Sequence, residues 1–146
     1  MSRHSRAPLL HIARASVSAI VPAGASRVAV FATRGALVSG FYQRELQARG
    51  IDFCVPDEIT QQQVDRCIQA VKAGQTEAAG QSLTQACQTL RQQGATALIM
   101  GCTELPVAAR HADLAGLASV DSARALAQAC VDFALARGWN RPACAL

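Results

Sequence analysis

The chain of 146 residues is 51% hydrophobic and 16% charged, below the roughly 25% charged residues of an average domain, which favours one folded domain and excludes disorder, a coiled coil or a low-complexity arm. Its net charge of +4 is carried by scattered arginines and one lysine, Lys72, with only 4% aromatics; a nucleic-acid binder concentrates basic residues with stacking aromatics, so a small anionic ligand is expected and nucleic acid is not. No run approaches the roughly 18 apolar residues of a membrane span, so a soluble chain without a membrane partner is expected.

The opening twenty residues are rich in Arg and Ser, with Glu45 the first acid, as in an organelle transit peptide. Pro8 and the strand-like Leu9-Leu10-His11-Ile12 read instead as folded chain. Arg27-Val-Ala-Val-Phe-Ala-Thr33 is β-branched and lies between Gly24 and Gly35, which predicts a buried strand. Val38 to Arg49 then reads as a helix with Val38, Phe41, Tyr42 and Leu46 on one face. Ile51 to Val55 is a short strand stopped by Pro56.

Two successive helices are expected from Ile59 to Lys72 and from Thr76 to Gln92, with Val64, Ile68 and Val71, then Leu83, Ala86, Cys87 and Leu90, at helical spacing. Ala95-Thr-Ala-Leu-Ile-Met-Gly101 is almost wholly apolar and predicts a strand buried on both faces. Cys102-Thr103-Glu104 turns into a short helix, Leu117 to Val120 forms a further strand, and Asp121-Ser122 caps a last helix to Arg137. Gly50, Gly74, Gly94 and Gly138 each close a helical run, as a left-handed C′ glycine does. The expected fold is therefore α/β, a three-layer parallel sheet with helices on both faces.

In such folds ligands bind at the carboxyl ends of strands, and two ends here carry polar or reactive groups. Cys102 follows Gly101 directly and precedes a helix, a setting that favours the thiolate, lowers its pKa and suits a nucleophile or base. A cysteine filling a tight turn reads the same way. Thr103 and Glu104 bring a hydroxyl and a carboxylate, although Glu104 also fits as a first-turn helix acid. Thr33-Arg34-Gly35 reads either as a helix cap or as a carboxylate cradle, and Lys72 either as a solvated helix-end lysine or as a ligand for an anion. Cys54, Cys67, Cys87 and Cys130 read as small core residues in a reducing cytoplasm, Cys144 lies on the tail, and no CxxC pair or His–Cys spacing suggests a metal.

Ala32-Thr-Arg-Gly-Ala-Leu-Val-Ser-Gly-Phe-Tyr-Gln43, Val71-Lys-Ala-Gly74 and Met100-Gly-Cys-Thr-Glu-Leu105, together with Pro8-Leu-Leu-His-Ile12 and the strand ending at Asp121, resemble the carboxyl-terminal half of the aspartate/glutamate racemase family. The resemblance implies a cofactor-independent enzyme of two similar α/β halves, with one cysteine from each half facing the substrate's α-carbon. It implies that Cys102 is the second of these thiols, and that Thr33, Gly35, Lys72, Thr103 and Glu104 contact the substrate, with Ser39 and Tyr42 supporting the first loop. The amino-terminal half, with its Cys-Asn-Thr turn, is expected to be absent, and Ala36 stands where a hydroxyl residue is usual.

On that reading residues 1–24 are a remnant strand and linker, 25–120 the racemase-like domain, and 121–146 a closing helix and tail. The expected activity is proton transfer at the α-carbon of a small acidic amino acid or dicarboxylate, inefficient in the isolated chain. Alternatives are a single-thiol decarboxylase or isomerase of a small dicarboxylate, or an inactive fragment acting only in binding or association. The closing helix, with Leu126, Cys130, Phe133 and Leu135 lacking their usual partner, predicts a homo-oligomer.

Overall fold

Four short runs of mostly apolar residues become the strands of one sheet in the computed structural model, which describes residues 8–139. They are β1 (Arg27–Phe31), β2 (Asp52–Cys54), β3 (Ala97–Met100) and β4 (Ala118–Asp121). The order is β2-β1-β3-β4 and every pairing is parallel, with Val28 opposite Ala97, Phe31 opposite Met100, and Met100 opposite Asp121. β1 and β3 are central, and the four residues of β3 are all buried because helices cover both faces.

Alternation along the strands divides the core in two. Val28, Val30, Ala97 and Ile99 meet Ala13, Val17 and Ile20 of α1 (Ile12–Ile20) and Tyr42 and Leu46 of α3 (Phe41–Ala48). Ala29, Phe31, Leu98 and Met100 meet Val64, Cys67 and Ile68 of α4 (Glu58–Lys72), Leu83, Cys87 and Leu90 of α5 (Thr76–Gln92), and Leu105 of α6 (Glu104–Ala108). α4 and α5 match the expected helices because their apolar residues recur without interruption and Asp57 caps the first through a 2.8 Å bond from the Thr60 N–H. The last helix, α7 (Ser122–Ala136), starts where expected, with the Asp121 carboxylate accepting from the Ala123 and Arg124 amides.

Three local expectations are corrected. Leu9 to Ile12 is not a strand: no regular element covers Leu9 to His11, and α1 begins at Ile12, with His11 Nδ1 accepting from the Ala13 amide at 3.2 Å. The buried set Ala13, Ser16, Val17 and Ile20 has helical spacing and sits on the sheet, so this segment belongs to the core of the fold. The helix expected from Val38 to Arg49 is two helices, α2 (Arg34–Ser39) and α3, because Gly40 adopts φ 67° between them. Val38 consequently lies 89% exposed, off the buried face that Tyr42 and Leu46 share. Cys130 is exposed on α7 rather than a core residue, since that helix buries only Ser122 fully.

Gly80 of α5 is where the segment after α6 comes closest. A Cβ there would run into the His111 carbonyl oxygen, with the His111 carbonyl carbon at 2.6 Å and its Cβ at 2.7 Å. Thr84, one turn on, donates to the Gly80 carbonyl and accepts from the Asp113 amide, both at 2.9 Å, and fixes the same segment.

Candidate active site

Because β1 and β3 are neighbours and parallel, the segments Thr33-Arg34-Gly35 and Cys102-Thr103-Glu104 leave the same edge of the sheet side by side. Thr33 is the cap of α2: its hydroxyl accepts from the Ala36 amide at 3.4 Å and its carbonyl from Leu37 at 3.1 Å. Gly35 is exposed, and a Cβ there would meet nothing within 4 Å, so the first loop is open above the backbone. Arg34 turns away to α4, with its Nη1 and Nη2 each 2.8 Å from Glu58 and its Nε 2.7 Å from Asp65. The guanidinium holds the Glu58 carboxyl below its ordinary pKa.

On the second loop Cys102 is half-buried, with α6 beginning two residues later. Burial pushes its thiol up to about 11, although the Leu105 and Glu104 amides reach the sulfur and oppose the rise. The lowered pKa expected from a helix amino terminus is thus corrected. α6 has only five residues, and the core of α4 and α5 removes more water from the sulfur than two amides offset.

Lys72, Thr103 and Glu104 converge beside that thiol. The Thr103 hydroxyl donates to Glu104 Oε2 at 3.2 Å, and Lys72 Nζ, at the end of α4, lies 3.9 Å from Glu104 Oε1. The lysine side chain remains 55% exposed, leaving the ammonium able to meet a ligand as well as the carboxylate.

The two supporting residues divide. Ser39 is exposed and donates its hydroxyl at 2.7 Å to the Ala36 carbonyl within the first loop's own helix. Tyr42 belongs instead beneath the second loop: it is 1% exposed, and a Cβ on Gly101 would lie 2.9 Å from its Cε2. Ser16 and Ser122, whose hydroxyls reach the Tyr42 phenol, were not candidates in the sequence. No sequence signal marked them, since the start of α1 reads as strand-like and Ser122 only as part of a helix cap. Among the described residues no group of three or more His, Cys, Asp or Glu is placed to hold a metal, and no helix is long and apolar enough to cross a membrane. Cys144 lies outside the described residues.

The parallel sheet, in the order β2-β1-β3-β4, thus carries a cysteine just beyond the end of one central strand and a threonine just beyond the end of the other. The Asp/Glu/Hydantoin racemase family matches residues 1–130, and the chain belongs to that family. It is 34% identical over 107 residues to an uncharacterised protein of the pnlA 3′ region of Pectobacterium carotovorum subsp. carotovorum, covering 73% of this chain and 71% of that protein.

Among solved structures, a candidate Asp/Glu racemase from Yersinia pestis superposes with a TM-score of 0.74 at 30% identity, covering 88% of this chain and 56% of that one. The aspartate racemase of Picrophilus torridus gives 0.72 at 26%, covering 88% and 54%. An aspartate racemase homologue from Pyrococcus horikoshii OT3 shares the fold with a TM-score of 0.78 at 22% identity, covering 91% and 59%. The chain therefore spans little more than half the length of these solved structures.

The buried thiols also set a pH dependence of stability. Burial raises Cys67 and Cys87 from 9.0 to about 12 and Cys102 from 9.0 to about 11. Above about pH 9 the unfolded chain releases thiol protons that the folded chain retains, so the folded state binds more protons and stability falls with rising pH. The contribution is fully present below about pH 9 and is lost progressively as pH climbs through the folded values. Urea unfolding at a series of pH values from 8 to 11 is expected to show a falling midpoint, with a shallower fall in Cys67→Ala. An unchanged midpoint across that range would contradict the burial of these thiols.

Proposed function

We propose that this chain supplies one face of a racemase site for a small acidic amino acid, with Cys102 as the acid/base thiol and no cofactor. The observation that carries this is the convergence at one sheet edge: Cys102 with two amides at its sulfur, Thr103, Glu104 and Lys72 beside it, and the Thr33–Gly35 loop on the adjacent strand. Lys72 and the open amides of the first loop are suited to the substrate's carboxylates, and Glu104 to its ammonium. The Cys102 thiolate takes the α-proton, leaving a carbanion delocalised into the neighbouring carboxylate, and the thiol then returns a proton to the same face. A thiol held near 11 is scarce as thiolate at neutral pH but is a stronger base when formed. Cytoplasmic residence is part of the proposal, supported by thiols that are free at Cys54, Cys67, Cys87, Cys102 and Cys130.

Inversion needs a proton donor on the opposite face, and Cys102 serves one. Incubation with L- and D-aspartate and L- and D-glutamate in deuterated water, followed by proton NMR, is the test. Loss of the α-proton signal from at least one enantiomer, faster than any inversion and rising with pH towards about 11, is expected. No exchange from any of the four would overturn the reading.

We also propose that the chain self-associates through α7. Val131 and Leu135 of α7 and Trp139 in the turn after it are 52, 51 and 67% exposed, while Phe133 is half-buried and stacks edge-on to Trp139 at 5.6 Å. Apolar surface left in water costs about 25 cal/mol per Å², which a second copy would relieve. Sedimentation is expected to show a dimer or larger species that Leu135→Asp shifts to monomer. A stable monomer at tens of micromolar would refute it.

A further inference from the structure

The Gly101-Cys102 turn is clamped from below. The Gly101 amide donates to the Phe31 carbonyl at 2.7 Å. A Cβ at Gly101 would stand 2.9 Å from Tyr42 Cε2, 3.0 Å from Ala32 Cβ and 3.1 Å from the Phe31 oxygen. No side chain fits, so the backbone of the turn rests on the tyrosine ring and on the end of β1.

The phenol that holds this ring lies in a core otherwise made of aliphatic and aromatic carbon. Ser16 of α1 and Ser122 of α7, 0 and 2% exposed, reach its hydroxyl from two other helices. Ser16 Oγ also donates to the Ile12 carbonyl at 2.8 Å. Three buried hydroxyls are costly where phenylalanine and alanine would fill similar space, and their grouping ties together the helices that carry them.

We propose that Tyr42 is a positioning residue for Cys102, its ring forming the floor of the Gly101-Cys102 turn and its hydroxyl, tied to Ser16 and Ser122, keeping that floor in place. This rests on the reading of Cys102 as the acid/base thiol. Without the ring the turn loosens, water reaches the sulfur, and the thiol, which burial holds up, titrates lower and reacts faster while losing its fixed aim at an α-carbon.

The test reads thiol chemistry and catalysis separately. In Tyr42→Leu, iodoacetamide labelling of Cys102 at pH 8, followed by peptide mass spectrometry, is expected to rise about fivefold or more, with the midpoint of its pH profile lowered. Cys67, fully buried, stays protected and reports that the fold is intact. α-Proton exchange falls in the same variant. Tyr42→Phe, which keeps the ring and drops the hydroxyl, is expected to show about a twofold rise and partial retention of exchange.

Cys102 labelling unchanged in Tyr42→Leu would overturn the proposal, as would Cys67 and Cys102 becoming reactive together in both variants. Should Tyr42→Leu fail to fold, an unchanged Cys102 profile in Tyr42→Phe overturns it equally. A labelling shift without exchange in the parent protein leaves the positioning role standing and removes the proposed reaction.

Discussion

Cys102→Ser is expected to lower α-proton exchange by at least about 100-fold, the scale on which a positioned acid/base group acts. The serine hydroxyl fits the same turn and accepts from the same Glu104 and Leu105 amides, so the fold should be unperturbed. What is lost is acidity: an alcohol in this setting is not ionised at any pH where the protein is folded, whereas the thiol reaches its midpoint at about 11. Exchange measured with the enantiomer that the parent protein deprotonates faster gives the comparison. Residual exchange within tenfold of the parent would place the base elsewhere, and Glu104, 3.2 Å from the Thr103 hydroxyl, would be the next carboxylate to replace.

Gly80→Ala is expected to destabilise the fold although it adds only one methyl group. In the interior of an exposed helix this substitution gains about 1 kcal/mol from helix propensity. Here the added carbon meets the His111 carbonyl oxygen and carbon, which are backbone and cannot rotate away. Forcing the segment after α6 off α5 also breaks the bond from the Asp113 amide to Thr84. A net loss of about 2 kcal/mol is expected after the propensity gain, and a melting temperature lower by roughly 4–8 °C. Calorimetry decides between the signs: a stabilised Gly80→Ala protein would mean that the contact with His111 is not made in solution.

Residues whose neighbours are close in sequence were the legible ones. β1 and β3 read directly from unbroken apolar runs, and α4 and α5 from apolar residues recurring every three or four positions. A parallel sheet alone puts the two polar strand ends on one edge, while their adjacency comes from the pairing of β1 with β3. α1 was hidden because Leu9 to Ile12 looks β-like and because Ser16, a buried position, interrupts the apolar pattern of the helix. Gly40 divides α2 from α3 by a backbone angle, while the residues around it keep an apparently continuous helical pattern.

At the site, the elevated titration of Cys102 was not legible because it comes from α4 and α5, which lie earlier in the chain and reach the sulfur only in the folded state. The resemblance associated Tyr42 with the first loop, yet its ring lies under Gly101. The destination of Arg34 was equally tertiary. Nothing in Thr33-Arg34-Gly35 says that two carboxylates of α4 will take the guanidinium out of the site.

The pairing of the two central strands carries a kinetic consequence. Arg27 and Thr96, bonded at the foot of β1 and β3, are 69 residues apart in the chain, and the intervening stretch must be drawn in before their first cross-strand bond forms. An unstructured loop of that length is entropically slow to close. The α4–α5 hairpin, whose two helices meet across the short turn at Gly74 and Gln75, needs only local contacts and shortens the path between the strands once formed. Refolding should therefore be limited by docking of β3 onto β1 after that hairpin is made, so that a substitution such as Leu83→Ala, between the hairpin and the sheet, slows folding while Val30→Ala, on the opposite face, chiefly speeds unfolding.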